Sequence, residues 1–254
     1  MYESRVNKDS PPAHTATPVP AIVTSDTGSG DVTYLLIHGI GVSSRYFERL
    51  IPVTSRRARV VAVDLPGFGR SPKPGRAMTV EDFADSVSAV IDDLGLTGCI
   101  VVGHSMGTQV ATRLALVRPD AVSALALIGP VMDPRDRSPI RPAVLLGRDT
   151  LGESARANWL VLSDYVRCGI RWYLSVLPSM IAYRIEDHLP QLDCPVLVVR
   201  GERDPIARAD WVTTLSDTAP IGAVRTVRGA RHLAMHAKPE TTDALLSALV
   251  RPPL

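Results

Sequence analysis

A serine stands between two glycines in the segment GHSMG at residues 103–107, directly after the apolar run CIVV at residues 99–102. A serine nucleophile needs a sharp turn from strand to helix that exposes its hydroxyl, and glycines two residues to either side relieve the crowding there. The first backbone N–H groups of the following helix point at the same place, where the helix dipole favours negative charge. We therefore predict that Ser105 is a nucleophile and that the Met106 N–H stabilises an oxyanion. A strand–helix turn without chemistry is the alternative.

A serine hydroxyl is a poor nucleophile at neutral pH until a base removes its proton. His232 follows the last apolar run of the chain, and Asp204 ends the apolar run VLVVRGERD at residues 196–204. An ionised aspartate beside such a histidine fixes the tautomer of the imidazole and stabilises the imidazolium. We predict that His232 is the general base and that Asp204 supports it.

Glycines also mark the end of the first strong apolar run, in HGIG at residues 38–41. A loop of this kind brings a second backbone N–H to an oxyanion, and we expect Ile40 to supply it. His38 is a rival base, but its position in a strand-end loop favours a ring that is hydrogen-bonded locally. His104 is expected to pack beneath the nucleophile.

Short, continuous apolar runs alternate with helical patterns along most of the chain. The runs are VTYLLIHG (32–39), RVVAVDLPG (59–67), CIVVGHS (99–105), VSALALIG (122–129), PVLVVRGERD (195–204) and AVRTVRG (223–229). Such runs are typical of strands buried on both faces of a mainly parallel sheet. Between two of them, Thr79 and Asp82 form a capping box that predicts a helix start, and Gly95 is a natural stop. The alternation predicts a three-layer α/β/α sandwich.

The alternation stops over residues 131–189, where helical patterns occur without a convincing strand. We interpret this segment as a helical cap inserted into a core of residues 21–130 and 190–254. Open α/β sheets bind ligands at the carboxyl ends of their strands, where such a cap would lie. Residues 1–20 are rich in Pro, Ser and Thr and lack periodicity, so we interpret them as an irregular N-terminal arm.

The composition argues against several classes of function. With 28 Lys and Arg against 26 Asp and Glu and no basic cluster, the overall charge gives no electrostatic footprint for nucleic acid or for an anionic membrane. The cysteines have neither metal-ligand nor disulfide spacing, and His232 and His236 have no evident third ligand, so no metal is expected. No apolar segment suits a membrane span or a secretory signal, which makes a cytoplasmic protein the default expectation.

The set of motifs resembles the α/β-hydrolase superfamily, and within it the single-domain members that carry a cap. The matching segments are HGIG (38–41), DLPGFGRS (64–71), GHSMG (103–107), GERDPI (201–206) and GARHLAMHAKPE (229–240). The chain order Ser105, Asp204, His232 is also that of the family. The resemblance implies an eight-stranded, mostly parallel sheet with a cap after the sixth strand, and acyl transfer through an acyl-enzyme without a cofactor. It further implies that Asp64 shapes a loop.

Two departures within the superfamily bear on this chain. Some relatives take the supporting acid from the end of the sixth strand, which places Asp133 as an alternative, but the match of GERDPI to the seventh strand favours Asp204. The nucleophile position holds a serine, which by resemblance argues against haloalkane dehalogenases and epoxide hydrolases, whose nucleophile is a carboxylate.

These observations combine into the hypothesis of a carboxylesterase-like serine hydrolase that cleaves an ester, thioester or lactone of a small, largely apolar substrate. Trp159, Trp172 and Tyr173 are candidates for lining the substrate pocket, although large aromatics also serve ordinary packing. The same catalytic set fits carbon–carbon bond hydrolysis, perhydrolysis or acyl transfer, and the same fold fits a non-catalytic small-molecule receptor or a scaffold protein. The substrate and the oligomeric state stay open.

Overall fold

One mixed sheet organises the protein, whose computed structural model describes residues 20–138, 140–150 and 152–250. Within those residues the strands are β1 (Val23–Thr27), β2 (Thr33–Ile37), β3 (Arg59–Asp64), β4 (Cys99–His104), β5 (Val122–Ile128), β6 (Val196–Gly201) and β7 (Gly222–Val227). Their order across the sheet is β1-β3-β2-β4-β5-β6-β7. The β1–β3 pair is antiparallel, and the other pairs are parallel. The mostly parallel α/β sheet predicted from the apolar runs is confirmed.

The strand count differs from the resemblance, which implies eight strands where the described residues contain seven. The part of the chain described before β2 holds the single strand β1. The chain turns between the two at Gly28 and Gly30, whose φ angles are 78° and 131°, and β1 pairs with β3 rather than with β2. The helical segment follows β5, the fifth of the described strands. The predicted N-terminal arm, apart from Pro20, lies outside the described residues.

Helices cover both faces of the sheet and fill the long segment between β5 and β6. The described α-helices are α1 (Ile51–Thr54), α2 (Val80–Asp93), α3 (Met106–Val117), α4 (Arg141–Thr150), α5 (Ala155–Cys168), α6 (Ile170–Ala182), α7 (Ile185–His188), α8 (Ala209–Thr218), α9 (Ala234–Ala237) and α10 (Pro239–Ser247). None of them combines the length and the apolar character that crossing a bilayer requires.

The strands are buried on both faces because alternate side chains meet two different helix layers. Leu35 and Val61 belong to the apolar cluster that includes side chains of α2, α3 and α8, whereas Leu36 and Ala62 belong to the cluster that includes side chains of α9 and α10. This arrangement is the predicted three-layer sandwich, and it fixes the carboxyl ends of the parallel strands at one edge.

The capping box predicted for α2 is present. Thr79 Oγ1 accepts a hydrogen bond from the Asp82 N–H at 3.2 Å, and Asp82 Oδ2 accepts one from the Thr79 N–H at 2.8 Å. Gly95 follows the helix at a φ of 59°, a conformation that favours glycine. Local signals alone thus determine where this helix begins and ends.

Candidate active site

Ser105 lies at the turn between β4 and α3 with an unusual backbone, φ 56° and ψ −123°. The turn is so tight that a Cβ on Gly103 would lie 2.3 Å from the Gly107 carbonyl oxygen. A Cβ on Gly107 would lie equally close, 2.3 Å, to the Ile37 carbonyl oxygen. Only glycine fits at either position, which is the physical reason for the G-x-S-x-G spacing. The turn leaves Ser105 on the wall of a narrow cavity.

His232 and Asp204 meet at the same end of the sheet. Asp204 Oδ2 lies 2.8 Å from His232 Nδ1, and the two residues are nearly completely buried. Asp204 Oδ1 accepts hydrogen bonds from the N–H groups of Ile206 at 2.8 Å and Ala207 at 3.1 Å, so the carboxylate is oriented by its own loop. Because Nδ1 faces a carboxylate, it carries the proton of the neutral ring, and Nε2 is left with a lone pair.

Asp204 and His232 each stabilise the charged form of the other. Burial disfavours the charged form of both groups, but their mutual attraction outweighs it. The pKa of Asp204 lies below its ordinary value, because His232 and the loop N–H groups stabilise the carboxylate. The pKa of His232 lies above its ordinary value, because the Asp204 carboxylate stabilises the imidazolium against its burial. The carboxylate is therefore ionised at neutral pH.

Ser105 and His232 line one cavity but do not touch through a hydrogen bond. His232 Nε2 is buried and has no hydrogen-bond partner among the described residues. Both side chains border a space of about 50 Å³. Nucleophile and base are often further apart in an unliganded site than in a reacting one. The structure thus brings Ser105, Asp204 and His232 together. Nε2 of His232, the nitrogen that would act as the base, makes no hydrogen bond to the described residues.

The two residues predicted as oxyanion donors also lie beside Ser105. Ile40 lines the cavity, and Met106 is the first residue of α3. A Cβ on Gly39 would lie 2.9 Å from Ser105 Cβ, so the loop after β2 is in contact with the turn. Within the described residues, neither the Ile40 N–H nor the Met106 N–H donates to a backbone acceptor. Both N–H groups therefore lack a backbone acceptor in that part of the chain, and their role as oxyanion donors stays a prediction.

A hydrogen-bond chain that the sequence analysis missed ties this loop to His232. The Gly39 N–H donates to the Tyr46 hydroxyl at 2.6 Å, and the hydroxyl lies 2.8 Å from His104 Nδ1. His104 Nε2 lies 3.0 Å from the carbonyl oxygen of His232 and donates to it. Tyr46 is 58 residues from His104, so no local spacing signals the contact.

Removal of the Tyr46 hydroxyl tests this chain. Tyr46→Phe leaves the buried Gly39 N–H and His104 Nδ1 without partners, and we expect the free energy of unfolding to fall by about 1–3 kcal/mol. Urea unfolding measures it. Tyr173→Phe is the matched control, because the Tyr173 hydroxyl makes no hydrogen bond within the described residues, and its effect should stay within about 0.5 kcal/mol. Equal losses in the two variants would contradict the prediction.

His38 and Asp64 hold the neighbouring loops in place. His38 Nδ1 lies 2.7 Å from the Gly39 carbonyl oxygen and donates to it, while Nε2 accepts from the Leu65 N–H at 2.9 Å. Asp64 Oδ1 accepts from the Ser44 N–H at 2.8 Å. Both ring nitrogens of His38 are occupied, in agreement with the local role predicted for it rather than with a role as base.

Asp133, the alternative acid, is engaged elsewhere. Its carboxylate pairs with Arg135 at 2.6 Å and with Arg208 at 3.2 Å. His232 Nδ1 is already held by Asp204. The geometry favours Asp204 as the partner of the histidine.

The three aromatic pocket candidates have different positions. Trp159 is 66% exposed and does not line the cavity beside Ser105. Trp172 is buried against Phe68 and over Gly67, which is ordinary packing. Tyr173 lines a groove next to the cavity. Trp159 therefore lies away from this cavity, because that face of α5 points to solvent.

Helices α4 and α5 supply other side chains to the cavity instead. Among them are Leu146, Asp149 and Tyr165, together with Glu153 from the turn before α5. Burial raises the pKa of both Asp149 and Glu153. These acidic residues were not singled out from the sequence, since nothing in residues 140–153 distinguishes a cavity wall from an exposed helix face. Among the described residues, no group of three His, Cys, Asp or Glu side chains is arranged to hold a metal ion.

Comparison with known proteins places the chain in a family. A family model described as alpha/beta hydrolase fold matches residues 34–151, which include Ser105. The chain is also 30% identical over 234 residues to the pimeloyl-[acyl-carrier protein] methyl ester esterase of Sodalis glossinidius, covering 81% of this chain and 88% of the relative. This chain is an alpha/beta hydrolase.

Other proteins similar to this alpha/beta hydrolase are also named as hydrolases or esterases. It is 26% identical over 243 residues to the (E)-2-((N-methylformamido)methylene)succinate hydrolase of Acinetobacter baylyi, covering 88% of this chain and 91% of the relative. Among solved structures, the thermophilic esterase of Thermogutta terrifontis matches with a TM-score of 0.79 at 24% identity, over 93% of this chain and 96% of that chain. The structural likeness shows the fold, and the relatives support a hydrolase.

Proposed function

We propose that this alpha/beta hydrolase is a carboxylesterase-like serine hydrolase that cleaves an ester, thioester or lactone of a small, largely apolar substrate. The observation that carries the proposal is the pair of Asp204 and His232, whose Oδ2 and Nδ1 atoms lie 2.8 Å apart. Nε2 of His232 has no partner among the described residues, and His232 lines the same cavity as Ser105. A relative named as a methyl ester esterase supports ester chemistry.

The reaction proceeds in two halves. Ser105 Oγ attacks the substrate carbonyl while His232 Nε2 takes its proton, and the N–H groups of Ile40 and Met106 stabilise the oxyanion. His232 then gives the proton to the departing alcohol or thiol, which leaves an acyl-enzyme on Ser105. Water, activated by the same histidine, displaces the acyl group as a carboxylic acid and restores the serine.

We further propose that residues 131–189 act as a cap over a catalytic core of residues 21–130 and 190–254. The cavity has walls from both parts: Ser105 and His232 from the core, Leu146 and Tyr165 from α4 and α5. These two cap side chains suit an apolar acyl or leaving group, whereas Asp149 and Glu153 of the same segment place carboxyl groups in the cavity wall. This division assigns the chemistry to the core and the choice of substrate to the cap.

The pH dependence of kcat/KM follows from the pKa of His232, which must be neutral to act as a base. Because that pKa is raised, kcat/KM should fall as the pH drops, with a midpoint above pH 6.5, the ordinary value for histidine. Burial lowers the pKa of His104 to about 3, so that ring stays neutral throughout. Initial rates on an activated ester across about pH 5 to 9 measure the midpoint. A midpoint clearly below 6.5 would mean that another group is the base.

Covalent labelling tests the proposal without knowledge of the substrate. A fluorophosphonate probe should form an Oγ–phosphorus bond at Ser105 with loss of fluoride, detected as a mass increase on the peptide that contains residue 105. His232→Ala should slow the labelling by about 10²–10⁴-fold, because the proton of the hydroxyl has no acceptor. His236→Ala is the matched control and should label like the wild type. Failure of the folded wild-type protein to label would refute the proposal and favour a non-catalytic receptor.

A further inference from the structure

Helix α5 is apolar on its solvent side. Trp159, Leu162 and Val166, spaced three and four residues apart, are 66%, 61% and 76% exposed. The buried side of the helix carries Asp164, whose carboxylate pairs with Arg45 at 2.9 Å. Three of the four buried residues of α5 are apolar, so the helix is apolar on both sides, whereas a surface helix ordinarily presents polar residues to water. The exposed apolar stripe therefore points to a contact outside the domain.

The neighbouring helices also carry exposed apolar side chains. Gly169 separates α5 from α6, and Ile170 and Leu174, one turn apart on α6, are more than half exposed. Val144 on α4 is more than half exposed as well. We name these six side chains the cap face: Val144, Trp159, Leu162, Val166, Ile170 and Leu174. Exposed apolar residues grouped in one segment mark binding surfaces for proteins or membranes.

The exposed charges of the same segment are positive. In the described part of residues 140–182, every exposed charged side chain is an arginine: Arg141, Arg148, Arg156, Arg167 and Arg171. The carboxylates there are buried or half-buried. Arg141 and Arg156 pair with Asp136 and Glu48, whereas the other three arginines make no ion pair within the described residues. Apolar side chains rimmed by unpaired arginines match the chemistry of an anionic lipid surface.

A groove leads from the cap face to the cavity beside Ser105. The groove has a volume of about 380 Å³ and is lined by apolar and aromatic residues that include Ile170 of the cap face. Leu146, Thr150 and Tyr165 border both the groove and the cavity. A Cβ on Gly41 would lie 2.2 Å from the Tyr165 ring, so this side chain also packs directly on the loop that contains Ile40. The groove and the cavity that Ser105 lines therefore share three bordering residues.

We infer that the cap face docks on an anionic lipid surface and that the groove admits an ester from that surface to Ser105. Docking depends only on the apolar side chains and the arginines. Delivery of the ester rests on the proposed function. The two parts are separable, because a Ser105→Ala protein should still dock.

Vesicle binding tests the docking step with the full chain carrying Ser105→Ala. We expect the protein to float with vesicles made of equal amounts of phosphatidylcholine and phosphatidylglycerol, and not with phosphatidylcholine alone. Trp172 and Trp211 are buried, so a blue shift of tryptophan emission on binding should come from Trp159 and vanish in Trp159→Phe. Raising the salt to about 1 M, where the screening length falls to about 3 Å, should release the protein.

Matched variants identify the surface. An arginine near an anionic surface strengthens binding by roughly fivefold, so Arg167→Gln with Arg171→Gln should weaken it by roughly 25-fold. Arg225→Gln with Arg228→Gln, exposed on the core, should leave binding unchanged. Val166→Ser should weaken it, whereas Ile221→Ser, at a half-exposed apolar residue outside the cap segment, should not.

Each remaining outcome decides against one part of the inference. Equal binding to both vesicle types, or none to either, overturns docking on anionic lipid. A stable dimer that Val166→Ser dissociates shows that a second copy covers the cap face, and it also overturns docking. If the wild type docks and labels at Ser105 but hydrolyses a vesicle-borne ester no faster than a dispersed one, delivery through the groove is wrong. If it docks but fails to label, the proposed function fails and docking stands.

Discussion

Ser105→Ala should lower kcat for an activated ester by roughly 10⁶-fold, close to the rate left by binding and oxyanion stabilisation alone. The expected loss is this large because the substitution removes the atom that forms the acyl-enzyme, while the cavity and both candidate oxyanion donors stay in place. Hydrolysis of p-nitrophenyl butyrate, corrected for the buffer rate, measures it. Retention of more than about a tenth of the wild-type kcat would show that the chemistry does not pass through Ser105.

Two further variants separate loss of the nucleophile from loss of the fold. The φ of 56° at Ser105 is strained for any residue with a Cβ, so Ser105→Gly should be equally inactive but more stable than Ser105→Ala by about 1 kcal/mol. Ser247→Ala, at a half-buried serine in α10 whose hydroxyl donates to the Ala244 carbonyl oxygen, should leave kcat unchanged and lower the free energy of unfolding by no more than about 1 kcal/mol. Thermal unfolding of all three variants provides the comparison.

Asp204→Asn should lower kcat by about 10⁴-fold with little change in structure. The amide fits the same space, but it no longer attracts the imidazolium, and its NH₂ group favours the wrong tautomer of His232. The pKa of His232 should fall, because the carboxylate is what raises it against burial. The acid limb of the pH profile should therefore move to lower pH as the rate drops.

Asp133→Asn is the control that distinguishes the two candidate acids. It weakens the ion pairs to Arg135 and Arg208 and should reduce stability modestly, but it should leave kcat within about threefold of the wild type. The opposite pattern, with a large loss of kcat in Asp133→Asn and little in Asp204→Asn, would transfer the supporting role to Asp133.

Several parts of the fold and of the candidate site were predictable because their signals are local. The helix α2 begins at a capping box and stops before Gly95, and both signals lie within a few residues of the ends that they determine. The signal in the G-x-S-x-G segment is local as well, since its two glycines avoid steric clashes within one turn. His232 and Asp204 were recognisable because each follows a continuous apolar run, and parallel strands place the ends of such runs at one edge of the sheet.

Other parts depend on contacts between distant segments, and the sequence pattern does not contain them. The Tyr46 hydroxyl reaches His104 across 58 residues, and its role appears only once the two loops are folded together. Trp159 has the residue type of a pocket wall, yet the packing of α5 through Asp164 turns it to solvent. The pairing of β1 with β3 is likewise a long-range contact, because the first residues of the two strands, Val23 and Arg59, are 36 residues apart.

The sequence by itself determined the alternation of strands and helices, the turn that carries Ser105, and the chain order of the residues that surround it. Those features follow from burial periodicity and backbone sterics, which act over a few neighbouring residues. Tertiary structure decided the rest: that His232 Nδ1 meets Asp204 rather than Asp133, which cap side chains wall the cavity, and that the solvent side of α5 is apolar. These are outcomes of packing, where the direction of a side chain depends on helices and strands far away in the chain.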